Sequence, residues 1–600
     1  MDDRMPRACV LWMFLTATIT KTSQDQRPNI VFIIADDLIT NSLSPLAFVF
    51  PHPRIPNFLL HPPLLWLSSS SPPNTASSLS KPTNMTDKIN VSLLGWDDVS
   101  FHGSAQVLTP NIDLLAYSGA ALQRYYTHSQ CSPSRAAMLT GKYAHRLGLQ
   151  GYPIVESEDR GIPLNEKLLP QYLKELGYAT HLVGKWHVGH SREAYLPTSR
   201  GFDSHFGHRG GFIDYYEYIS EETWTTGKVA GFDLYRNSTP AWDVEGYITD
   251  IYTEEAARVI TSHNKDKPLF LVLSHAAPHA GNDGARLQAP PDVVRGMRHV
   301  DLGERRLFAA MVKKLDDSVG QVTETLEKMD MLNNTIIVFV SDNGGMTLSI
   351  AQNWGFNWPL RGLKMSPFEG GTRVVGLIWS NAMSFTKNVW EGRMHCVDWL
   401  PTLLKAAGGE EVSGIDGLNL WDSITNGERP RRNEHFEIDD YTGYSAVVSG
   451  DYKLIIGQPI LSHSQHDYGD ELRGVIADKV PSYEETLRNS VMYSVLKKIG
   501  KPLDMQSVLS KRRRLTVQCG SSGNTNVTCQ PTEDKMCLYD IERDPCERND
   551  LSTDLPEVAN RLYRMVKEEW DKRIPRTVPM FRDPDSRPSI NNYTWTNWKD

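Results

Sequence analysis

Residues 335–345 read Thr-Ile-Ile-Val-Phe-Val-Ser-Asp-Asn-Gly-Gly, an apolar run that ends abruptly in oxygen-bearing side chains and two glycines. An apolar run without alternation suits a strand covered on both faces, as in a mostly parallel sheet. Residues 29–37 repeat the pattern, Asn-Ile-Val-Phe-Ile-Ile-Ala-Asp-Asp. Leu269–Leu273 and Arg373–Trp379 are further runs of this kind, and helical spacing fills intervals at Glu166–Leu176, Thr253–Ser262 and Glu304–Lys328. Strand–helix alternation predicts a doubly wound α/β domain. Ligand sites in such sheets lie beyond the carboxyl ends of the strands. Asp36, Asp37, Asp342 and Asn343 would then gather three carboxylates and an amide at one edge, where the carboxylates repel one another unless a cation sits among them. Such hard oxygen ligands suit Ca²⁺, with Mg²⁺ second, rather than zinc. Each Asp alone also fits a turn or a helix cap.

Six hundred residues are too many for one small core, so the chain is expected to hold a large domain and at least one smaller partner. A net charge of −9 argues against a nucleic-acid binder, which carries a basic face. It does not exclude a polyanionic substrate, for which a local cationic pocket is enough. Ala8–Ala17 is a short apolar segment preceded by Arg4 and Arg7; residues 1–22 read as a secretory signal, and no other window approaches a membrane span. Seven cysteines are present. Cys519, Cys529, Cys537 and Cys546 can form two disulfides in an oxidising compartment, their pairing left open, with Cys396 a free, buried thiol. Sequons at Asn84, Asn90, Asn237, Asn333, Asn526 and Asn592 agree mildly with secretion.

The α/β pattern runs over residues 28–430. From 431 to 600 shorter strand-like runs appear, Tyr444–Val448 and Tyr452–Ile456, and an amphipathic helix is expected from Pro556 to Lys572; this part reads as a smaller α+β domain. The basic run Lys511-Arg512-Arg513-Arg514 reads best as a solvated loop, with a protease site or a glycan patch as rival readings.

Two ordered motifs carry a family resemblance. Residues 131–141, Cys-Ser-Pro-Ser-Arg-Ala-Ala-Met-Leu-Thr-Gly, and residues 177–189, Gly-Tyr-Ala-Thr-His-Leu-Val-Gly-Lys-Trp-His-Val-Gly, resemble the two signatures of the type I sulfatases. Cys537–Leu551 resembles an element near their C-termini. Gly95-Trp96-Asp97-Asp98-Val99-Ser100-Phe101-His102-Gly103, Glu166–Pro170 and Asn357–Gly362 look like the arylsulfatase B (N-acetylgalactosamine-4-sulfatase) group. The resemblance implies an alkaline-phosphatase-like sheet domain and hydrolysis of a sulfate ester, either an aryl sulfate or a glycosaminoglycan sulfate. It implies that Cys131 is oxidised to formylglycine by the formylglycine-generating enzyme, and that its hydrate attacks sulfur and forms a covalent sulfate. Arg135 would brace that group and the metal site, Lys185 would bind sulfate, and His187 would take the proton that triggers sulfate release. His279 matches the sulfate-contacting histidine and Lys364 the matching lysine; either would protonate the leaving alcohol. Asp36, Asp37, Asp342, Asn343 and position 131 would hold one Ca²⁺, in a lysosomal or secreted enzyme. His275 is left structural.

Pro133 suits the first turn of a helix that places Cys131 at its positive end. Lys185 and His187, two apart, would face the same side of an extended segment. The family frame A-D-D-L-G-W is broken here: residues 39–94, rich in Pro and Ser, separate Leu38 from Gly95. Loops of that length are uncommon inside a domain, and the segment reads as a retained intron or gene-model error, with a genuine loop second. A Ser- or Thr-dependent phosphoesterase of the same fold, and a glycan-binding pseudoenzyme impaired by the insert, are the rival functions.

Overall fold

The computed structural model describes residues 27–36, 95–347, 354–383, 385, 387–459, 474–519, 529–576 and 582–600. The expected signal at 1–22, the insert, Asp37, and the sequons at Asn84, Asn90 and Asn526 lie outside these residues.

Sixteen strands are formed by the described residues. In chain order they are β1 (Asn29–Ala35), β2 (Ala120–Tyr126), β3 (Ala179–Gly184), β4 (Ser204–His208), β5 (Ile219–Trp224), β6 (Gly227–Phe232), β7 (Leu234–Arg236) and β8 (Thr239–Pro240). There follow β9 (Leu269–Ser274), β10 (Thr335–Ser341), β11 (Gly376–Ser380), β12 (Val389–His395), β13 (Glu434–Asp439), β14 (Tyr444–Ser449), β15 (Tyr452–Gly457) and β16 (Cys537–Asp540). Ten of them make one sheet in the order β12-β2-β11-β10-β1-β9-β3-β4-β7-β8. Its centre, β10-β1-β9-β3-β4, is parallel, while β11 and the β7–β8 edge run antiparallel. The expected α/β class is therefore observed, as a large, mostly parallel sheet flanked by helices.

Side-chain alternation shows why these strands are apolar throughout. Val31, Ile33 and Ala35 of β1 face one core with Ile337 and Phe339 of β10, while Ile30, Phe32 and Ile34 face a second with Ile336, Val338 and Val340. The first core is roofed by helices Pro110–Ser118, Ile248–Thr261 and Gly303–Lys328, the second by Cys131–Thr140, Leu169–Glu175 and Trp399–Ala406. Both faces are dry, so polar residues of β1, β9 and β10 are confined to the strand ends, Asn29, Ser274, Thr335 and Ser341. The run at residue 373 becomes a strand only from Gly376, because Glu369–Thr372 closes a helical turn in front of it.

The smaller sheet, β13-β14-β15-β16, is antiparallel. Helix Pro556–Asp571 covers one face through Ala559, Leu562 and Val566. The other face packs Ala446, Val448, Ile455 and Tyr539 on Phe368 of the large domain. Disulfides join Cys519 to Cys546 and Cys529 to Cys537, while Cys396 is free and buried. Residues 483–515 return to the first core through Leu487, Met492, Val495, Leu496, Val508 and Leu515.

The basic run is a correction. Lys511–Arg514 lies in helix Met505–Leu515, where Lys511 Nζ donates to Tyr117 O and Arg512 to the carbonyls of Ser100 and Ser104, each at 2.8 Å. Two of its four charges cap backbone carbonyls of the large domain and Arg514 pairs with Glu391, so the segment is not a free loop. Among the described residues no helix is long and apolar enough to cross a membrane. Asn237, Asn333 and Asn592 are exposed.

Candidate active site

Parallel register brings four strand ends to one edge. Ala35 pairs with Ser341, and Ser274 is level with both Ile34 and Gly184. The next residues along the chain, Asp36, Asp342 and Lys185, therefore emerge side by side, with His275–His279 following β9. Gly184 is required at its place: its φ is +103°, and an added Cβ would stand 1.8 Å from Ser274 O. That close approach lets Lys185 N donate to Ser274 O at 2.8 Å as the chain leaves the sheet.

Helix Cys131–Thr140 begins with Cys131 as its first residue and ends at Gly141 in the left-handed region. The amide-rich, positive end of the helix thus surrounds the cysteine. Arg135, one turn on, crosses to the strand edge: its Nε donates to Asp342 Oδ2 at 2.7 Å and its Nη1 to Ser274 Oγ at 2.6 Å, while Nη2 lies 3.2 Å from Asp36 Oδ1. Lys185 Nζ meets both oxygens of Asp36 at 2.7 and 2.6 Å. Cys131, Arg135, Lys185, His187, His279, Asp36, Asp342, Asn343 and Lys364 are all between 0 and 3% exposed.

The expectation that Lys185 and His187 share an extended segment does not hold. β3 stops at Gly184, and His187 has φ +59°. A non-glycine residue in that region costs about 1–2 kcal/mol, and here the turn aims the imidazole rather than alternation. His187 Nε2–H donates to Ile154 O at 2.8 Å, leaving Nδ1 a buried acceptor without a partner. His279 is fixed the other way round: its Nδ1–H donates to Ala280 O, its Nε2 has no partner, and its ring stacks on Phe212 at 5.9 Å. Tyr215 OH holds this turn by donating to the carbonyls of Ala276 and His279 at 3.0 and 2.7 Å. His275 donates or accepts at Ser318 Oγ, 2.9 Å away, in the packed core.

Electrostatics follow from burial and the crowd of charges. Burial alone would raise Asp36, but Lys185 and Arg135 outweigh it and hold the carboxyl well below the usual range. Asp342 is pushed up to about 6 by burial and the nearby Asp36, against Arg135. Burial pushes the Cys131 thiol up although Lys364 and Lys185 pull against it. Burial, aided by Lys185, drives His187 well below the usual histidine value; for His279 burial outweighs Asp36.

Lys364 reaches the site on a loop clasped by the smaller sheet. Its backbone N donates to Gly345 O at 2.9 Å. Arg361, three residues before it, donates to Tyr539 OH at 2.8 Å, Cys529 O at 2.7 Å and Glu547 O at 3.2 Å, with its guanidinium 3.9 Å over Phe368. Beneath it Lys453 of β15 bridges Glu369 and Glu547, each at 2.9 Å. Ser274 and Lys453 carry no local signal, and Arg361, though part of the Asn357–Gly362 motif, gives no sign of its partners in the sequence; only the fold brings them here.

The residues present fit a hard cation. Asp342 Oδ1 and Asn343 Oδ1 are buried acceptor oxygens without hydrogen-bond partners, beside the Asp36 carboxylate. Among the described residues no set of three His, Cys, Asp or Glu closes around an ion; the donor set expected here includes an amide and Asp37, outside the described chain.

The sulfatase family model matches residues 93–409. Mouse arylsulfatase J is 34% identical over 516 residues, covering 84% of this chain and 78% of its own. Human N-acetylgalactosamine-6-sulfatase is 30% identical over 362 residues, covering 56% and 64%. Among solved structures, Ps i-CgsB in complex with a neocarrahexaose superposes with a TM-score of 0.64 at 23% identity, over 94% of this chain and 98% of that one. The PsFucS1 sulfatase from Pseudoalteromonas sp. gives 0.57 at 20% identity over 92% and 91%. These two likenesses speak for the fold. From the family match, spanning more than half of the chain, and the arylsulfatase relative, the chain belongs to the sulfatase family and is a sulfuric ester hydrolase.

Proposed function

We propose that the chain cleaves a sulfate ester on a glycosaminoglycan-type sugar, accepts small aryl sulfates at the same centre, and uses formylglycine at position 131. The observation that carries this reading is the convergence of Cys131 at a helix N-terminus with Arg135, Lys185, His187, His279 and Lys364, all buried at one sheet edge. Formylglycine, made by the formylglycine-generating enzyme, supplies a hydrated aldehyde oxygen as nucleophile, with an exit that serine lacks. Asp36, Asp37, Asp342 and Asn343, with position 131, would hold one Ca²⁺, which would supply positive charge to offset that of the sulfate.

The remaining work falls to the side chains. Lys185 holds a sulfate oxygen by a charge-assisted hydrogen bond, while Arg135, bonded to Asp342 and beside Asp36, braces position 131 and the cation's ligands. His187 has spent its Nε2–H on Ile154 O, so Nδ1 is the atom that takes up a proton. His279, with Nδ1–H spent on Ala280 O, must take a proton on Nε2 before it donates to a sulfate oxygen; Lys364 gives the proton to the leaving sugar oxygen. The low dielectric of the buried site strengthens each of these contacts. The motif likeness to the arylsulfatase B group suggests N-acetylgalactosamine 4-sulfate as the sugar ester. The paired C-terminal cysteines fit the secretory pathway, with a lysosomal or secreted destination.

Expression in secretory cells tests the reading. The peptide containing Cys131 should carry an aldehyde in place of the thiol, and the protein should release sulfate from an aryl sulfate, with activity lost on chelation and restored by Ca²⁺. An unmodified Cys131 in cells that convert a control sulfatase, together with no sulfate release, would refute it.

A further inference from the structure

Cys131 sits in a small apolar cluster with Tyr152, Val155, Phe212, Met346, Leu363 and Met365. Tyr152 is 2% exposed, and its hydroxyl has no hydrogen-bond partner. Buried phenols normally find one. The segment is firmly placed: Ile154 N donates to Ser132 Oγ at 3.1 Å, and Ile154 O takes the His187 proton.

Two arginines from distant parts of the chain close on the same residue. Arg160 Nη2 and Arg576 Nη1 donate to Tyr152 O at 3.0 and 2.8 Å. The Arg576 guanidinium lies 4.1 Å over the ring of Tyr441, which packs against the Cys131 cluster. Their side chains are 12% and 2% exposed, yet Arg160 Nη1 and Arg576 Nε have no acceptor. Of the neighbouring carboxylates, Glu158 serves both arginines, and Asp439 and Glu222 are bonded elsewhere. Glu158 faces Arg160 Nε at 2.9 Å and Arg576 Nη2 at 3.5 Å. Asp439 accepts from Tyr441 N and Thr442 N of its own turn. Glu222 accepts from Arg582 Nε at 2.8 Å and Ser157 Oγ at 2.7 Å; its second oxygen is unpartnered, but that carboxyl is pushed up to about 7 by burial and Glu156. Two guanidiniums thus share the one carboxylate of Glu158, which takes Arg160 through both its oxygens, and three polar groups beside the nucleophile's cluster keep an unmade hydrogen bond. A doubly cationic pair with one counter-charge and unmade N–H bonds calls for an anion.

We infer that Tyr152, Arg160 and Arg576 form an anion subsite beside the Cys131 centre, taking a second acidic group of the substrate, a carboxylate or sulfate on the sugar next to the one that bears the scissile ester. This rests on the sulfatase reading above and narrows its substrate to a polyanionic glycan.

The test compares four substrates: an aryl sulfate, a sulfated disaccharide whose neighbouring sugar is a uronic acid, the same disaccharide with that carboxyl reduced to an alcohol, and one whose neighbouring sugar is sulfated instead. In the wild type, kcat/KM for the anionic disaccharide should exceed that for the reduced one about 10- to 100-fold, the range of one or two charge-assisted contacts. Whether the carboxylate or the sulfate neighbour gives the larger factor assigns the source. Arg576→Gln and Tyr152→Phe should lower the ratio of disaccharide to aryl sulfate kcat/KM by a similar factor, through KM. Tyr152→Phe keeps the ring, so it carries the test if Arg576→Gln melts early. Calorimetric binding of the same disaccharides to Cys131→Ala protein repeats the comparison without turnover. A ratio unchanged within about twofold in both variants, or equal binding of the reduced disaccharide, overturns the subsite. A wild type that releases no sulfate from any of the four overturns the sulfatase reading instead, and the binding comparison still decides the subsite.

Discussion

Lys453→Met removes the one ammonium between two buried carboxylates and should unfold the protein more easily by an amount that depends on pH. Lys453 is 2% exposed and lies 2.9 Å from both Glu369 Oε1 and Glu547 Oε1. Glu369 keeps Tyr126 OH at 2.9 Å and Arg373 at 3.6 Å, and Glu547 keeps the Glu369 amide at 2.7 Å. Breaking a buried ion pair by removing one partner costs about 3–5 kcal/mol; these surviving contacts put the loss near the lower end, about 3 kcal/mol at pH 8. Burial, with Glu369 nearby, pushes Glu547 up to about 7 even with Lys453 present, while Lys453 and Arg373 overcome burial to hold Glu369 low. A carboxyl whose native pKa lies above its unfolded value favours the protonated native form. Its contribution is full below the unfolded value and is lost as pH rises through about 7. Losing the ammonium raises both carboxyls further, so protonation can relieve the variant in acid. Each extra bound proton changes stability by at most about 1.4 kcal/mol per pH unit, and the penalty should shrink to about 1 kcal/mol or less at pH 5. Urea unfolding followed by tryptophan fluorescence at pH 5 and pH 8 measures both numbers. Adding Glu369→Gln and Glu547→Gln should recover most of the loss at pH 8, since neutral amides need no counter-charge. A penalty under about 0.5 kcal/mol at pH 8, or one larger at pH 5 than at pH 8, would show that the three groups do not form the buried pair described.

Asp233 gives a second pH-dependent case. Burial and Glu156 push it up to about 8 against the hydrogen bond from Gly210, so its stabilising effect is full in acid and lost as pH rises toward 8. Asp233→Asn keeps an oxygen for the amides of Arg209 and Gly210 and should gain on the wild type by up to about 1.4 kcal/mol per pH unit above pH 4; equal slopes in pH-resolved melts would contradict the burial argument. The two disulfides should differ in worth through loop length. Cys519–Cys546 closes 27 residues and Cys529–Cys537 closes 8, so double serine variants should lose about 3.6 and 2.5 kcal/mol respectively. Both should also lower kcat, because Cys529 O anchors Arg361 and Cys519 Sγ lies 3.5 Å from Pro359 O, on the loop that carries Lys364. Unchanged kcat in both would separate that loop from the disulfides.

Three central strands were legible because both of their faces are buried. β1 needed no correction and β9 and β10 each gained one residue, because an unbroken apolar run has no other stable home in water. The run at 373 began too early because a helical turn precedes Gly376, and beyond Gly184 the approach of Ser274 turns the chain out of the sheet. The His187 geometry was misread for the same reason: period-two reasoning applies inside a strand, and the chain had already left it. Lys511–Arg514 looked like a solvated loop because local charge does not reveal that carbonyls of Tyr117, Ser100 and Ser104 wait for those donors.

Sequence by itself determined the sheet class, the helix that presents Cys131, and which groups stand as candidates for sulfate-ester chemistry, since these rest on local pattern and on ordered motifs. Tertiary structure decided how they meet. Parallel register alone sets Asp36, Asp342 and Lys185 abreast. Only the docked small sheet fixes Arg361, and only the fold carries Arg576 to Tyr152, 424 residues away in the chain. Contacts over such separations are made by global packing, which no local window of sequence encodes.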